Sequence, residues 1–384
     1  MENRQPTYPG RVILTPVPGM ANTYDITRAD EPTVDGTPLN KETLLQDTTC
    51  ALLDIPNTSV PNDAFMKLAL GTGNFGYSIH VQIGDGVPAP GAVISGSNIS
   101  PVPGYSLTTD DSGDCIVISP NESITVSVAS PYLDFGDQNS ISIQRNPSSV
   151  LTNYTITLQQ KEATEEEIEN SGIYNLSPLV EEFDLCLVAG GGGGCYRNLN
   201  VGTNFTYGSG GGGGWITNEL GLSSLLYGRE LTITIGAGGV RAPSSGNGGD
   251  GGNTTVELLN KSISAAGGKG GAMSQTANGT AVGGAGNGNG GNAVPYAGQN
   301  GGNATGYKFN DEILGVPGGG GGAGYYYGGL VYTGGTPNGG STQANQQNGK
   351  YPGGGGAGGD HPGNPSYLAG MGAAGCVFVR WHFS

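Results

Sequence analysis

The sequence predicts an all-β, elongated protein of three parts, and three observations carry that expectation. Apolar and polar residues alternate in Ile79/Val81/Ile83, in Ile124/Val126/Val128 and in Tyr154/Ile156/Leu158, which is the period of a half-buried strand. Gly/Pro/Asp clusters separate these runs at intervals suited to a sandwich. From Gly190 to the C-terminus, 61 of the 75 glycines fall within 195 residues, in a tract framed by strand-like apolar segments. These are Phe183 to Val188 before it, Leu231 to Ile235 inside it and Cys376 to Trp381 at its close.

Residues 1–76 read as an attachment segment with short helices. Pro6, Pro9, Pro16, Pro18, Pro32 and Pro38 remove backbone donors and fix φ, so residues 1–38 are expected to be extended and to need a partner to order them. Pro38 to Glu42 reads as a helix start with Asn40 as N-cap, and Leu44, Leu45, Thr48 and Leu52 form one stripe. A second short helix is expected after Asn62, with Phe65, Met66 and Leu70 inward. Helices this short are marginal in water on their own.

Residues 77–160 read as a β-sandwich spacer. The run Asp85 to Val93, followed by Thr108 to Gly113, resembles the strand-turn signature of prealbumin-like sandwiches such as the carboxypeptidase regulatory-like modules. That resemblance implies a spacer or sugar-binding platform more than an enzyme. Residues 161–182 carry Glu162, Glu165, Glu166, Glu167, Glu169, Glu181 and Glu182. Like charges at helical spacing repel, so an acidic connector, as a solvated hinge or short helix, is expected there, with a calcium site as the alternative.

Residues 183–384 form the glycine-rich part. Glycine in a regular element costs roughly 0.5–1 kcal/mol relative to alanine, so 61 glycines must be offset by some specific packing. The tract lacks the Gly-X-Y repeat of collagen. Two geometries remain: polyglycine II segments stacked through their backbones, which need no Cβ between them, or glycine-lined turns over a sandwich.

Charge and chemistry narrow the function. The net charge of −16 is uneven: from Gly190 onward eight Lys/Arg face seven Asp/Glu, or +1, leaving 7 − 24 = −17 on the first 189 residues. An acidic half argues against nucleic acid and anionic membrane surfaces, which recruit Lys/Arg. The start, Met1 to Pro6, lacks a signal peptide's apolar region, and no apolar stretch approaches the ~18 residues of a span, so neither secretion by a leader nor membrane insertion is expected. Five cysteines, Cys50, Cys115, Cys186, Cys195 and Cys376, show no metal spacing. Buried free thiols are expected, with a Cys186–Cys376 bridge as the alternative.

No catalytic constellation emerges. His80 sits on the polar face of an expected strand, and Asp360-His361 has no nucleophile elbow or metal-binding helix beside it. G-x-G-x-x-G matches are frequent in so glycine-rich a tract and lack a Rossmann context. Lys269 and Lys350 complete no Walker A loop. Asn247 to Asn253 echoes a calcium-binding repeat, but with one acid and no repetition. Asp250, Asp311, Glu312 and Asp360 are scattered rather than paired, which argues against a depolymerase. No cofactor and no metal are expected.

The inserts between glycine runs carry Trp215, Tyr296, Tyr325, Tyr326, Tyr327 and Tyr332 among Asn, Gln, Ser and Thr. Tyrosine with small polar residues gives large contact area at low entropy cost, as in adaptable recognition loops, and aromatic faces suit sugar rings. These six are the candidate receptor-binding residues, Tyr325 to Tyr327 and Tyr332 foremost. The alternative is that the rings wedge a glycine lattice apart.

Two further stretches carry a resemblance. Tyr8-Pro9-Gly10-Arg11-Val12, Arg28 to Pro32 and Gly36 to Lys41 resemble the N-terminal segment of tail-appendage proteins of phages and prophages of Gram-positive gut bacteria. Asp184 to Gly194, Leu231 to Gly239 and Gly375 to Trp381 resemble the glycine-rich C-terminal domain of phage tail fibres. The cysteines and the tail His382-Phe383-Ser384 depart from that pattern. The resemblance implies a virion protein assembled in the host cytoplasm as a homotrimer. Its N-terminus would dock on tail or baseplate proteins, and its tip would adhere to a host-surface glycan or protein. A purely structural baseplate or fibre component is the alternative.

Overall fold

In a computed structural model of the chain, the described residues are 5–6, 12–19, 23–28, 32–34, 45–71, 73–162, 164–196, 208–243, 246–274, 280–294, 297–304, 308–309, 312–313, 332–341, 347–359 and 368–383. They are mostly strands in several sheets with few helices, which is the all-β class. Two units divide the chain: residues 1–130 with 137–159, and residues 131–136 with 160–384.

Near its start the first unit has a hairpin of β1 (Val12–Pro16) and β2 (Tyr24–Arg28), antiparallel from Val12↔Arg28 to Pro16↔Tyr24 and flanked by a short pairing of residues 5–6 with 32–34. The proline-rich start therefore pairs with itself. Val12, Ile13, Leu14 and Ile26 stay exposed, because a two-stranded ribbon has no second layer to bury its apolar side chains. Helix α1 (Asp47–Leu53) begins after Gln46, later than the Asn40 start, which lies outside the described residues. Leu45 and Cys50 are buried and join a small core with Ile55 and Ala64, whereas Leu52 is 87% exposed. In α2 (Pro61–Leu70) the Asp63 carboxylate accepts the Val60 N–H at 2.8 Å. Leu70 is buried as expected and Met66 is half-buried, but Phe65 is 69% exposed and Ala64 and Lys67 take the inward places beside Leu70. Lys67 takes the inward place because its stem packs while its ammonium reaches the Asn74 carbonyl at 3.0 Å.

The sandwich-like part of this unit comprises β3 (Phe75–Ile83), β4 (Val93–Gly96), β5 (Asp114–Ser119), β6 (Ser123–Ala129), β7 (Gln138–Gln144) and β8 (Leu151–Leu158). One sheet runs β8–β3–β5 and the other β7–β6–β4. Ile79, Val81, Ile83, Ile124, Val126, Val128, Ile156 and Leu158 are all buried, as the alternation predicts. Tyr154 is the exception and is exposed: β8 is an edge strand, and the opposite sheet has only three strands with which to cover its ring. His80 meets Asp114 across the β3–β5 ladder at 2.9 Å.

The second unit holds β9 (Glu165–Ile168), β10 (Gly172–Asn175), β11 (Val180–Val188), β12 (Ile216–Ser223), the one-turn helix α3 (Ser224–Tyr227), β13 (Glu230–Thr234), β14 (Thr254–Leu258), β15 (Lys261–Ala265) and β16 (Cys376–Phe383). Sheets β9–β16–β11–β12 and β10–β13–β14–β15 share one core, with Phe183, Leu185, Leu187, Val377, Val379 and Trp381 against Leu231, Ile233, Val256 and Ile263. The segment read as an acidic connector is thus the first strand of each sheet. Extended backbone lets its glutamates find partners: Glu165 pairs with Arg380 at 3.0 Å and Glu167 accepts the Tyr351 phenol at 2.7 Å on distant segments, while Glu166 pairs with Lys161 of its own segment at 2.8 Å.

After the end of β11 and before the start of β16 the chain runs in a lattice of glycine segments. Residues 190–195 lie at its centre. Gly190 and Gly193 donate to Gly252 and Gly249, Gly191 and Gly194 to Ala373 and Gly370, and Gly192 and Cys195 to Gly212 and Ser209. Their carbonyls accept in the same three-residue rhythm, from Gly268 and Gly271, from Gly239 and Ala242, and from Gly356 and Gly359. Six segments surround one, three antiparallel and donated to, three parallel and accepted from, at 2.7 to 3.2 Å. A repeat of three with no bonds inside the segment is the polyproline II rhythm. Of the two geometries the sequence leaves open, stacked polyglycine II is the one adopted, standing on a two-sheet base.

Side-chain tolerance follows the same rhythm. In residues 236–243, Gly236, Gly239 and Ala242 are buried while Ala237, Val240 and Pro243 are exposed. At Gly193 a Cβ would lie well under 3.0 Å from the Val240 carbonyl, and backbone on every side leaves it no room to shift. Gly193→Ala should therefore destabilise the unit by about 3 kcal/mol or more, read as a fall in the midpoint of denaturant unfolding; a change within 0.5 kcal/mol, roughly the surface-substitution range, would refute the lattice.

Asp134, in the 131–136 segment, is fully buried; its Oδ1 accepts the Ser177 N–H at 3.1 Å and its Oδ2 has no partner. Burial pushes its pKa up from 3.8 to about 6, against the opposing pull of those hydrogen bonds and of Lys161. The folded state thus keeps a proton that the unfolded state releases. Its contribution to stability is greatest below the unfolded value, falls as pH rises towards about 6, and is flat above that. Asp134→Asn should remove this decline, worth at most about 3 kcal/mol, in chemical unfolding followed from pH 4 to pH 8; an unchanged slope would refute the assignment.

Candidate binding surface

The glycine segments fix where the inserts leave the lattice. Trp215 ends the segment 209–215, whose N–H groups again step in threes: Gly210 and Gly213 donate to Gly291 and Gly288, Gly211 and Gly214 to Gly356 and Gly353, Gly212 and Trp215 to Lys269 and Ala266. Its carbonyl accepts the Ala189 N–H at 3.0 Å. The residue is therefore clamped by backbone at the junction of lattice and sheet, while 44% of it stays open to solvent. A rigid backbone under a half-exposed indole is the geometry of a preorganised anchor.

Tyr332 is half-buried on another segment. Its neighbour Thr333 donates to Asn300 Oδ1 at 2.9 Å, and Gly301 donates back to the Thr333 carbonyl at 2.9 Å. Trp215 and Tyr332 thus stand on different segments with different supports. Tyr325, Tyr326, Tyr327 and Tyr296 lie outside the described residues, as do His361, Asp360 and Asp311.

Part of the polar composition read as recognition chemistry has a different use. Asn247, Asp250 and Asn253, spaced three apart, point outward and accept the N–H groups of Met273, Gly270 and Gly267 at 2.8, 2.9 and 3.0 Å. Those donors are also three apart. The segment that echoes a calcium loop is thus an edge seal: its side-chain oxygens take lattice N–H groups that have no further glycine segment to bond. Asn289 and Asn292 do the same for Gly286 and Gly283, and Asn300 and Asn303 for Thr333 and Thr336. Lys269, at 2.8 Å, and the Gly270 N–H together hold the Asp250 carboxyl below the usual range. The signal missed in the sequence is Asn-Gly-Gly-Asp-Gly-Gly-Asn itself, a side chain on every third residue.

Tyr351, an aromatic of the same tract, bonds Glu167 of β9 and covers Cys376; burial, with help from Glu167, raises its pKa. Its hydroxyl ties lattice to sheet, while 40% of the residue stays open to solvent. All five cysteines are buried free thiols. Cys186 and Cys376 lie in adjacent rows on one face of the β11–β16 pair without a bond between them, and burial pushes the Cys186 thiol up to about 12. Thiols so held are weak nucleophiles.

A comparison with curated protein sequences gives no significant match. A family model described as a glycine-rich domain matches residues 167–382, more than half of the 384-residue chain. The match begins in β9 and ends in β16, so it spans both sheets and the lattice but not the first unit. By that match the chain belongs to the glycine-rich domain family.

Proposed function

We propose that this chain is a receptor-binding tail-appendage protein of a phage or prophage, which adheres to a host-surface glycan or protein without catalysing a reaction. The observation that carries the reading is the division of labour in the lattice. Where its segments meet, a Cβ would strike neighbouring backbone, and their N–H and C=O groups satisfy one another, so the inserts between them are not bound by that packing. The likeness of both ends of the sequence to tail-appendage proteins supports the same reading. The exposed apolar residues of the β1–β2 hairpin suit a segment that docks on tail or baseplate proteins.

Contact is assigned to the aromatic inserts, because glycine surfaces offer little side-chain area and the tract is near neutral. Truncating an interface anchor costs about 2 kcal/mol or more, or roughly thirtyfold in affinity. Replacing Tyr325, Tyr326, Tyr327 and Tyr332 together by alanine should abolish binding of the purified full chain to host cells while Tm stays nearly unchanged. A lost fold would show that the rings are wedges in the lattice. Unaltered binding would shift the contact to Trp215 or Tyr296. If the unmutated chain binds no host cell, the protein is a structural fibre or baseplate component.

Assembly as a homotrimer belongs to the same proposal, since a two-stranded hairpin and short helices gain the burial they lack by association. Light scattering should give three times the 38.7 kDa chain mass; a monodisperse monomer that unfolds in one cooperative step would refute it.

A further inference from the structure

The face of the β11–β16 pair that turns away from the shared core carries a cluster that adhesion does not use. In the antiparallel register Glu182 lies opposite His382, and Asp184 opposite Arg380. Directly opposed residues share a face, so Glu182, Asp184 and His382 emerge together. One ligand atom from each lies within 4.8 Å of the other two. The Asp184 side chain is 4% exposed and that of His382 is 37% exposed, while Glu182 is exposed. One deep donor therefore sits below two at the mouth.

We propose that Glu182, Asp184 and His382 bind a divalent transition-metal ion of the Zn²⁺ type. Asp184 Oδ2 lies 2.8 Å from His382 Nε2, and its Oδ1 accepts the Gly221 N–H at 2.7 Å. That backbone donor orients the carboxylate from behind, the supporting contact that metal-ligating carboxylates have. A plain Asp184–His382 ion pair explains two of the three groups. Glu182 brings a third donor to the same point, so that a cation there would meet three ligand atoms rather than two.

An imidazole with two carboxylates suits zinc-type ions, and three protein ligands leave a fourth position for water. Calcium prefers six to eight oxygens. His382 and Asp184 stand 198 residues apart yet on neighbouring strands, so the ion would tie the first long strand of the domain to its last. Binding free energy then becomes folding free energy.

The test uses the full chain after chelator treatment, titrated calorimetrically with Zn²⁺ alone and with Ca²⁺ alone. One Zn²⁺ per chain, a raised Tm and no Ca²⁺ binding are expected. Glu182→Gln changes an exposed side chain and leaves the fold intact, and it should weaken Zn²⁺ binding at least tenfold; His382→Gln should do the same or more. Asp250→Asn, at the calcium-like segment, should leave Zn²⁺ affinity unchanged. Absence of Zn²⁺ binding overturns the proposal, as does any result in which either Glu182→Gln or His382→Gln binds like the parent. Such binding would place the ion elsewhere, for instance on thiols.

Discussion

Everything in the second unit depends on backbone meeting backbone with no Cβ between. A strand in a sheet has two neighbours; the segment 190–195 has six. Each of its N–H and C=O groups is paired, and those pairs point in three directions rather than two. Leaving buried backbone groups unpaired costs about 1–3 kcal/mol each, so full pairing in so dense a bundle is a condition of its existence rather than an ornament. The conformational cost of glycine is accepted because a side chain at the buried positions would push neighbouring segments apart.

A glycine lattice has no side chains with which to count. Sliding one segment by three residues would restore its pattern of bonds, just as register is weakly specified in glycine-rich strands. Two devices remove that freedom. The sheet base is rich in large, distinct side chains, and Trp381, Phe183 and Leu185 have one arrangement that fills the core. At the junction, Thr254 Oγ1 donates to the Val188 carbonyl at 2.7 Å and accepts the Gly236 N–H at 3.0 Å, so the phase set in β11, β14 and β13 passes into the glycine segments. The asparagine edges form the second device, because a slipped segment would present its N–H groups to the wrong side chains.

The strand framework was legible because alternation is a local property: Phe183 to Val188, Leu231 to Ile235 and Cys376 to Trp381 all reveal themselves within six residues. Stacked polyglycine was legible as one of two options, since composition demands close packing without saying in how many directions. The Glu-rich 161–182 stretch misled because repulsion along a helix is readable from sequence, whereas Arg380 and Tyr351, which relieve it, are brought in by pairing across about two hundred residues. Phe65 and Leu52 misled for a related reason: a helix with two apolar faces does not announce which one a small core selects. The candidate site was legible only as composition. Trp215 stands exposed on a rigid support as a binding residue requires, yet the asparagines counted with it are structural, and Tyr351 shows that an aromatic in this tract is also able to serve the lattice.

That mixture bears on how such a domain varies. Positions facing the lattice centre hold glycine or a small residue such as Ala242, Cys195 or Ser209, outward positions on the same segments admit charge and bulk, as Val240, Asp250 and Lys269 show, and the inserts are limited only by having to leave one segment and enter another. Closing a longer loop adds cost slowly, about 0.6 kcal/mol per doubling of length, so an insert can lengthen or change its chemistry without touching the hydrogen bonds that hold the segments. A scaffold with that separation keeps its fold while its surface changes, which is what a protein facing a changing partner surface requires and what one with a fixed structural neighbour does not.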